Sequence, residues 1–155
     1  MKQELAKQIL SDLCGRLPHN VVMRNNYGKF GILRTMNVQY GVYELEIGSS
    51  NPYEQGGILT WKPCLRPMDS MTEDEMKQLK KETCPLGTGT FNTKSLLCPM
   101  NHFGEDIPYT FMHKIIRWLN AKHFDYNGLI DIDAAIAMDK DEIDNAYKNI
   151  MNITI

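Results

Sequence analysis

The stretch Asn20–Trp61, NVVMRNNYGKFGILRTMNVQYGVYELEIGSSNPYEQGGILTW, decides the fold class. Its β-branched and aromatic residues fall into the runs VVMR, KFGILRTM, VQYGVYELEI and GILTW, separated by NNYG, MN and the turn-rich SSNPYEQGG. Runs this short, joined by turns this tight, predict antiparallel pairing. In the third run Val38, Tyr40 and Val42 fall on one side and Tyr43, Leu45 and Ile47 on the other, with Gly41 marking a bulge or bend.

Upstream, Leu5, Ala6, Ile9, Leu10 and Leu13 share one side of a helical wheel, with Gly15 where a C-terminal cap belongs. Downstream, Pro63 and Pro67 end the β region. Thr72 and Glu75 then form a capping box for a helix to about Thr83. Its thin apolar stripe, Met76 and Leu79, predicts a surface helix. Residues 84–106 are irregular, rich in Pro and Gly and long for a loop. After Pro108, Phe111, Met112, Ile115, Ile116, Trp118 and Leu119 form the broadest apolar face, leaving His113, Lys114, Arg117 and Asn120 opposite. Asn127-Gly128 turns the chain, LIDIDAAIAM reads equally as strand or short helix, and Asp139 with Glu142 opens a last helix. The expectation is an α+β fold: an antiparallel sheet of about four strands (20–61) with an N-terminal helix and three further helices packed on or beside it. Residues 1–155 read as a single domain, β-rich over about 18–68 and helical over about 72–155.

At 155 residues, 43% hydrophobic and 23% charged, the composition is that of an ordinary packed domain, and ten methionines predict adaptable core filling. No run reaches the ~18 apolar residues of a membrane span, so a cytoplasmic location without membrane contact is expected. Cys14, Cys64, Cys84 and Cys98 lack framework spacing and read as free thiols.

Few motifs carry chemistry. Cys84, Cys98, His102 and His113 are zinc-ligand types, yet only Cys98 and His102 approach the usual ligand spacing. LGTGTFNTKS lacks the glycine before its lysine that a phosphate loop needs. Asp125, Asn127, Gly128 and Asp131 copy part of a calcium loop, but its first and last positions would be His123 and Ala134, so an Asx-type turn is the better reading. Asp131/Asp133 and Asp139/Asp141 are explained by capping and solubility. No catalytic residue, metal or cofactor is assigned. Charge is unevenly spread within a formal net of -2: between Asp12 and Glu44 there are Arg16, Arg24, Lys29 and Arg34 and no acid, while seven acids face Lys140 and Lys148 from Asp125 onward. Tyr27 and Phe30 among those cations hint at nucleic acid, and the plainer reading packs basic beside acidic segments.

The segments ELAKQIL, GILR, KPCLRPMDSMTEDE and WLNAKHFDYNGLIDIDAAIAM together resemble small uncharacterised proteins encoded by prophages and mobile elements of gut Bacteroidetes. Two motifs carry the resemblance: Leu65-Arg66-Pro67 running into Asp69-Ser70-Met71-Thr72, and His123-Phe124-Asp125-Tyr126-Asn127-Gly128-Leu129-Ile130. It implies an origin and no activity. The resulting expectation is a non-catalytic accessory protein that binds a host macromolecule, a host protein in the first instance, and so could inhibit a defence system. Its contact residues would be His102 and Phe103 in the irregular loop, or the His113, Lys114 and Arg117 face. One alternative is a ligand-binding or hydrolytic pocket lined by His and Asp; a weaker one is nucleic-acid binding through Arg24, Lys29 and Arg34. A homodimer is compatible with all three.

Overall fold

The computed structural model describes residues 2–48, 53–83 and 109–152. Helix α1 (Lys2–Arg16) leads through a 3-10 turn into strands β1 (Val22–Asn25), β2 (Phe30–Asn37), β3 (Val42–Glu46), β4 (Tyr53–Gly57) and β5 (Trp61–Leu65). Helices α2 (Glu73–Thr83) and α3 (Tyr109–Ala121), the short strand β6 (Ile136–Ala137) and helix α4 (Lys140–Met151) follow. The fold is α+β. Sheet order is β4-β3-β2-β1-β5-β6, antiparallel except for the parallel β5–β6 pair.

β4 and β5 are separated by three residues yet flank opposite sides of the β1–β3 meander. In a flat sheet, four strand spacings would put them ~19 Å apart. The four peptide units from Gly57 to Trp61 reach at most ~14 Å. The sheet must therefore curl toward a barrel. A register shift between Leu33 and Thr35 bends β2, and a Cβ on Gly56 would lie 2.1 Å from Cδ1 of Trp61, so the indole packs directly on bare backbone.

This corner corrects the sequence reading. GILTW is not a strand: Ile58–Thr60 turns, the polar YEQGG before it pairs with β3, and WKPCL after it pairs with β1. Pro63 sits within β5 rather than ending it; β6 reaches only Cys64 and Leu65, so beyond them β5 is an edge, where proline is tolerated. Likewise Val38 and Tyr40 belong to the β2–β3 turn, with Gly41 at φ +61, and share no strand face with Val42.

Among the described residues three clusters make up the core. Ile9 and Leu13 of α1 pack with Met23, Leu33, Tyr43, Leu45, Trp61 and Leu65 inside the curl. On the outer face Val22, Ile32 and Cys64 meet Ile143, Ala146 and Ile150 of α4. Leu79 joins α2 to Ile115, Trp118 and Leu119 of α3 and to Phe124, with Met68, Met71, Met76 and Met112 filling around them. α2 is thus a surface helix fastened by one buried leucine.

Both capping boxes form. Thr72 Oγ1 accepts from Glu75 N at 3.2 Å while Thr72 N donates to the Glu75 carboxylate at 3.1 Å, and Asp139 with Glu142 repeats the exchange at 2.8 Å each way. Gly15 is not a cap. α1 runs one residue past it, and the carbonyl of Gly15 accepts from Asn120 Nδ2 at 3.2 Å, with only 3.0 Å between that nitrogen and a Cβ at position 15. Asn120, expected on the polar side of α3, is therefore buried against α1. LIDIDAAIAM resolves into turns plus the two residues of β6.

A buried ion pair ties α1 to the segment after α3. Arg16 Nε donates to Asp12 at 2.6 Å with both side chains essentially sealed from solvent. Asn127 Nδ2 donates to the same carboxylate at 2.7 Å, and the guanidinium lies 5.0 Å from the Tyr126 ring centroid. Removing one member of such a pair typically costs about 3–5 kcal/mol, because the other is left charged and dry.

Candidate binding surfaces

The cations of the basic segment are held singly by the fold. Lys29 pairs with Glu54 of β4, Arg34 Nε donates to Glu46 of β3 at 2.6 Å and its Nη1 to Asn20 at 2.7 Å, and Arg24 stacks 5.5 Å from the Phe30 centroid. The acids that Lys29 and Arg34 pair with belong to the sheet itself rather than to the carboxy-terminal third. His113, Lys114 and Arg117 are exposed together on the outer side of α3. Arg117 lies close enough to His19 to help lower its pKa, after burial and ahead of Arg16. His102, Phe103, Cys84, Cys98 and LGTGTFNTKS lie outside the described residues. Among the described residues no three His, Cys, Asp or Glu side chains gather as a metal cage. Of the thiols described, Cys14 is exposed, while burial pushes Cys64 up to about 12 and leaves it protonated.

The two motifs that carry the resemblance meet at one point. Arg66 N donates to the carbonyl of His123 at 2.8 Å and Asp125 N to the carbonyl of Arg66 at 2.8 Å, joining β5 to the end of α3. The Arg66 guanidinium makes paired bonds of 2.7 and 2.8 Å to Glu75 and sits 4.1 Å from the Phe124 centroid. Those bonds hold Glu75 below the ordinary carboxylate range. Asp125 in turn accepts from Leu129 N at 2.9 Å and Ile130 N at 2.7 Å, so it orders a turn, as an Asx reading requires.

Beside this junction Arg66, Ala121, Lys122, His123, Lys140, Ile143 and Asp144 line a cleft of ≈ 170 Å³. His123 is placed there by the helix end: Phe124 N bonds to Leu119 O and His123 N to Asn120 O, a Schellman motif with His123 in the left-handed position at φ +62. Glycine is the usual residue at that place. Burial first, then Arg16 and His19, push the imidazole down to about 4, so it is neutral near pH 7, and its Nδ1 is buried without a partner.

A second surface is apolar. Val38 (60% exposed) and Tyr40 (71%) lie on the β2–β3 turn and Leu59 (40%) on the neighbouring β4–β5 turn. The turns are fastened by Ile58 N to Gly41 O at 3.1 Å, and each is braced internally, by Tyr40 N to Asn37 Oδ1 at 3.2 Å and Thr60 Oγ1 to Gly57 O at 2.9 Å. MNVQYGV (36–42) and QGGILTW (55–61) contain no charged residue. Those uncharged runs are a signal that the sequence reading passed over, because it counted VQYGV and GILTW as strand. The cleft had no such signal, because three distant segments build it.

No family model, curated protein or solved structure matches the chain.

Proposed function

We propose that this is a non-catalytic accessory protein of a prophage or mobile element that acts by binding a host protein. The origin rests on the resemblance carried by the two motifs above. The binding role rests on one observation: the apolar tip formed by Val38, Tyr40 and Leu59 on two mutually fastened turns. Exposed single apolar residues are ordinary, but a tyrosine and two aliphatic side chains gathered on braced turns supply contact area with little left to order on binding. Aromatic anchors of this kind dominate protein interfaces, and a tip without charge offers little to a phosphate backbone.

The test is affinity capture from host lysate with the wild-type chain and a Val38→Asp/Tyr40→Asp variant, followed by reconstitution with the purified captured protein. Both positions are exposed turns, so the melting temperature should not move. A stoichiometric partner whose affinity falls at least tenfold with the variant supports the reading. Equal capture by both chains, or retention of nucleic acid alone, overturns it.

A further inference from the structure

The turn after α3 holds the one Asn-Gly pair in the chain, Asn127-Gly128. An asparagine carries its own electrophile, the side-chain amide carbon Cγ, within reach of the next residue's backbone nitrogen. Bulk on that next residue hinders the attack, and glycine has none. Asn127 is exposed, so water reaches the amide. Leu129 N and Ile130 N are both bonded to Asp125, whereas Gly128 N donates to no group among the described residues. The nitrogen that has to attack is therefore free of the bonds that lock the two residues after it.

On an open surface such a reaction would change little. Here the far end of the side chain makes the difference: Nδ2 of Asn127 donates at 2.7 Å to Asp12, a carboxylate 1% exposed and paired with Arg16. Deamidation replaces that donor with an oxygen. The site then holds two carboxylates against one guanidinium, and the dry surroundings make the added charge costly.

We propose that Asn127 is a site of self-deamidation, whose product sets a second carboxylate against Asp12 and loosens the turn from α1. Gly128 N gives its proton to solvent base and bonds to Cγ of Asn127; the Cγ–Nδ2 bond breaks, and the nitrogen leaves as ammonia with a proton from water. The result is a cyclic imide. Water then opens it at Cγ to give aspartate, or at the Asn127 backbone carbonyl to give isoaspartate, whose main chain runs through the former side chain. The bond to Asp12 has to be released before the ring closes, so the folded chain reacts more slowly than the unfolded one, and the product cannot restore the bond while it stays ionised.

The experiment ages the full chain in mildly alkaline buffer, folded and in urea, and follows each asparagine by peptide mapping with mass spectrometry. Conversion at Asn127 at least fivefold faster than at any other asparagine of the folded chain is expected, with isoaspartate among the products, and faster still in urea. In parallel, Asn127→Asp reproduces the aspartate product, and Asn127→Ala removes the bond to Asp12 without adding charge. At neutral pH the urea midpoint of Asn127→Asp should lie below that of Asn127→Ala. In acid the gap should close, because the like charge of Asp12 favours the protonated carboxyl, which is again a donor, and that stability is lost as the pH rises. An Asn127 that stays intact in the folded chain while other asparagines convert, or an Asn127→Asp variant as stable at neutral pH as Asn127→Ala, overturns the proposal.

Discussion

His123 joins three constraints in one residue: a left-handed backbone, a buried imidazole and a cationic neighbourhood of Arg16, His19 and Arg66 that outweighs Asp144. In the unfolded chain its imidazole titrates near 6.5, and in the fold at about 4. Below pH 6.5 the unfolded state therefore takes up a proton that the native state refuses. Stability from this group is complete above pH 6.5, declines as the pH falls toward 4 and changes no further below it. A shift from 6.5 to about 4 corresponds to about 3 kcal/mol across that window. Glu75 loses its Arg66-dependent contribution as the pH falls from the ordinary carboxylate value of 4.5 toward its lowered one in the fold, so most of the His123 loss comes first. Urea denaturation between pH 7 and 4 should show stability falling with acid, and His123→Asn, which tolerates the left-handed backbone, should flatten most of that fall. The slope left over belongs to His19, also lowered by burial and by Arg117 and Arg16. An unchanged slope in the variant would mean that His123 does not titrate as described.

At the scale of elements, the β4–β5 corner carries the curl of the sheet, and its two glycines differ sharply. A Cβ at Gly56 would overlap the Trp61 indole at 2.1 Å and crowd Leu45 at 3.1 Å, whereas at Gly57 the nearest atom, Thr60 Oγ1, is 3.4 Å away. Trp61 is buried in the main cluster and cannot retreat. Gly56→Ala should therefore cost about 3 kcal/mol or more by urea midpoint, at the upper end of overpacking penalties. Gly57→Ala should stay within about 0.5–1 kcal/mol; equal losses would mean the indole is not seated on position 56. This corner also shows where sequence was and was not legible. The capping boxes at Thr72 and Asp139 were readable because donor and acceptor lie three residues apart. YEQGG read as loop because its strand is polar and its glycine serves Trp61, not a turn. Pro63 read as a terminator because only the sheet order reveals that β5 is an edge at that point. The cleft needed residues 66, 121–123 and 140–144 brought together, and no local pattern encodes that.

For the whole molecule, the formal charge of -2 hides a basic amino-terminal region and an acidic carboxy-terminal third, and the fold decides what that asymmetry can do. No described helix is long and apolar enough to cross a membrane. Arg16 is sealed against Asp12, Lys29 and Arg34 carry Glu54 and Glu46 beside them, and Arg24 lies on Phe30. Affinity for nucleic acid comes from cations that replace condensed counterions on phosphates. A lysine already matched by a carboxylate must leave it first, and the carboxylate then repels the strand. Fluorescence anisotropy with a single-stranded oligonucleotide at about 50 mM salt should therefore give a dissociation constant no tighter than ~10⁻⁴ M, the weak edge of non-specific binding. Lys29→Gln/Glu54→Gln and Arg34→Gln/Glu46→Gln should leave it unchanged, since each double substitution removes a pair that is already neutral. The exposed Lys114 and Arg117 are the internal comparison: neutralising both by substitution with Gln should abolish any residual salt-dependent binding, because they extend from α3 into solvent without an acid of their own in ion-pair range among the described residues. Tighter binding that either double substitution removes would reverse this assignment and place the contact on the basic strands.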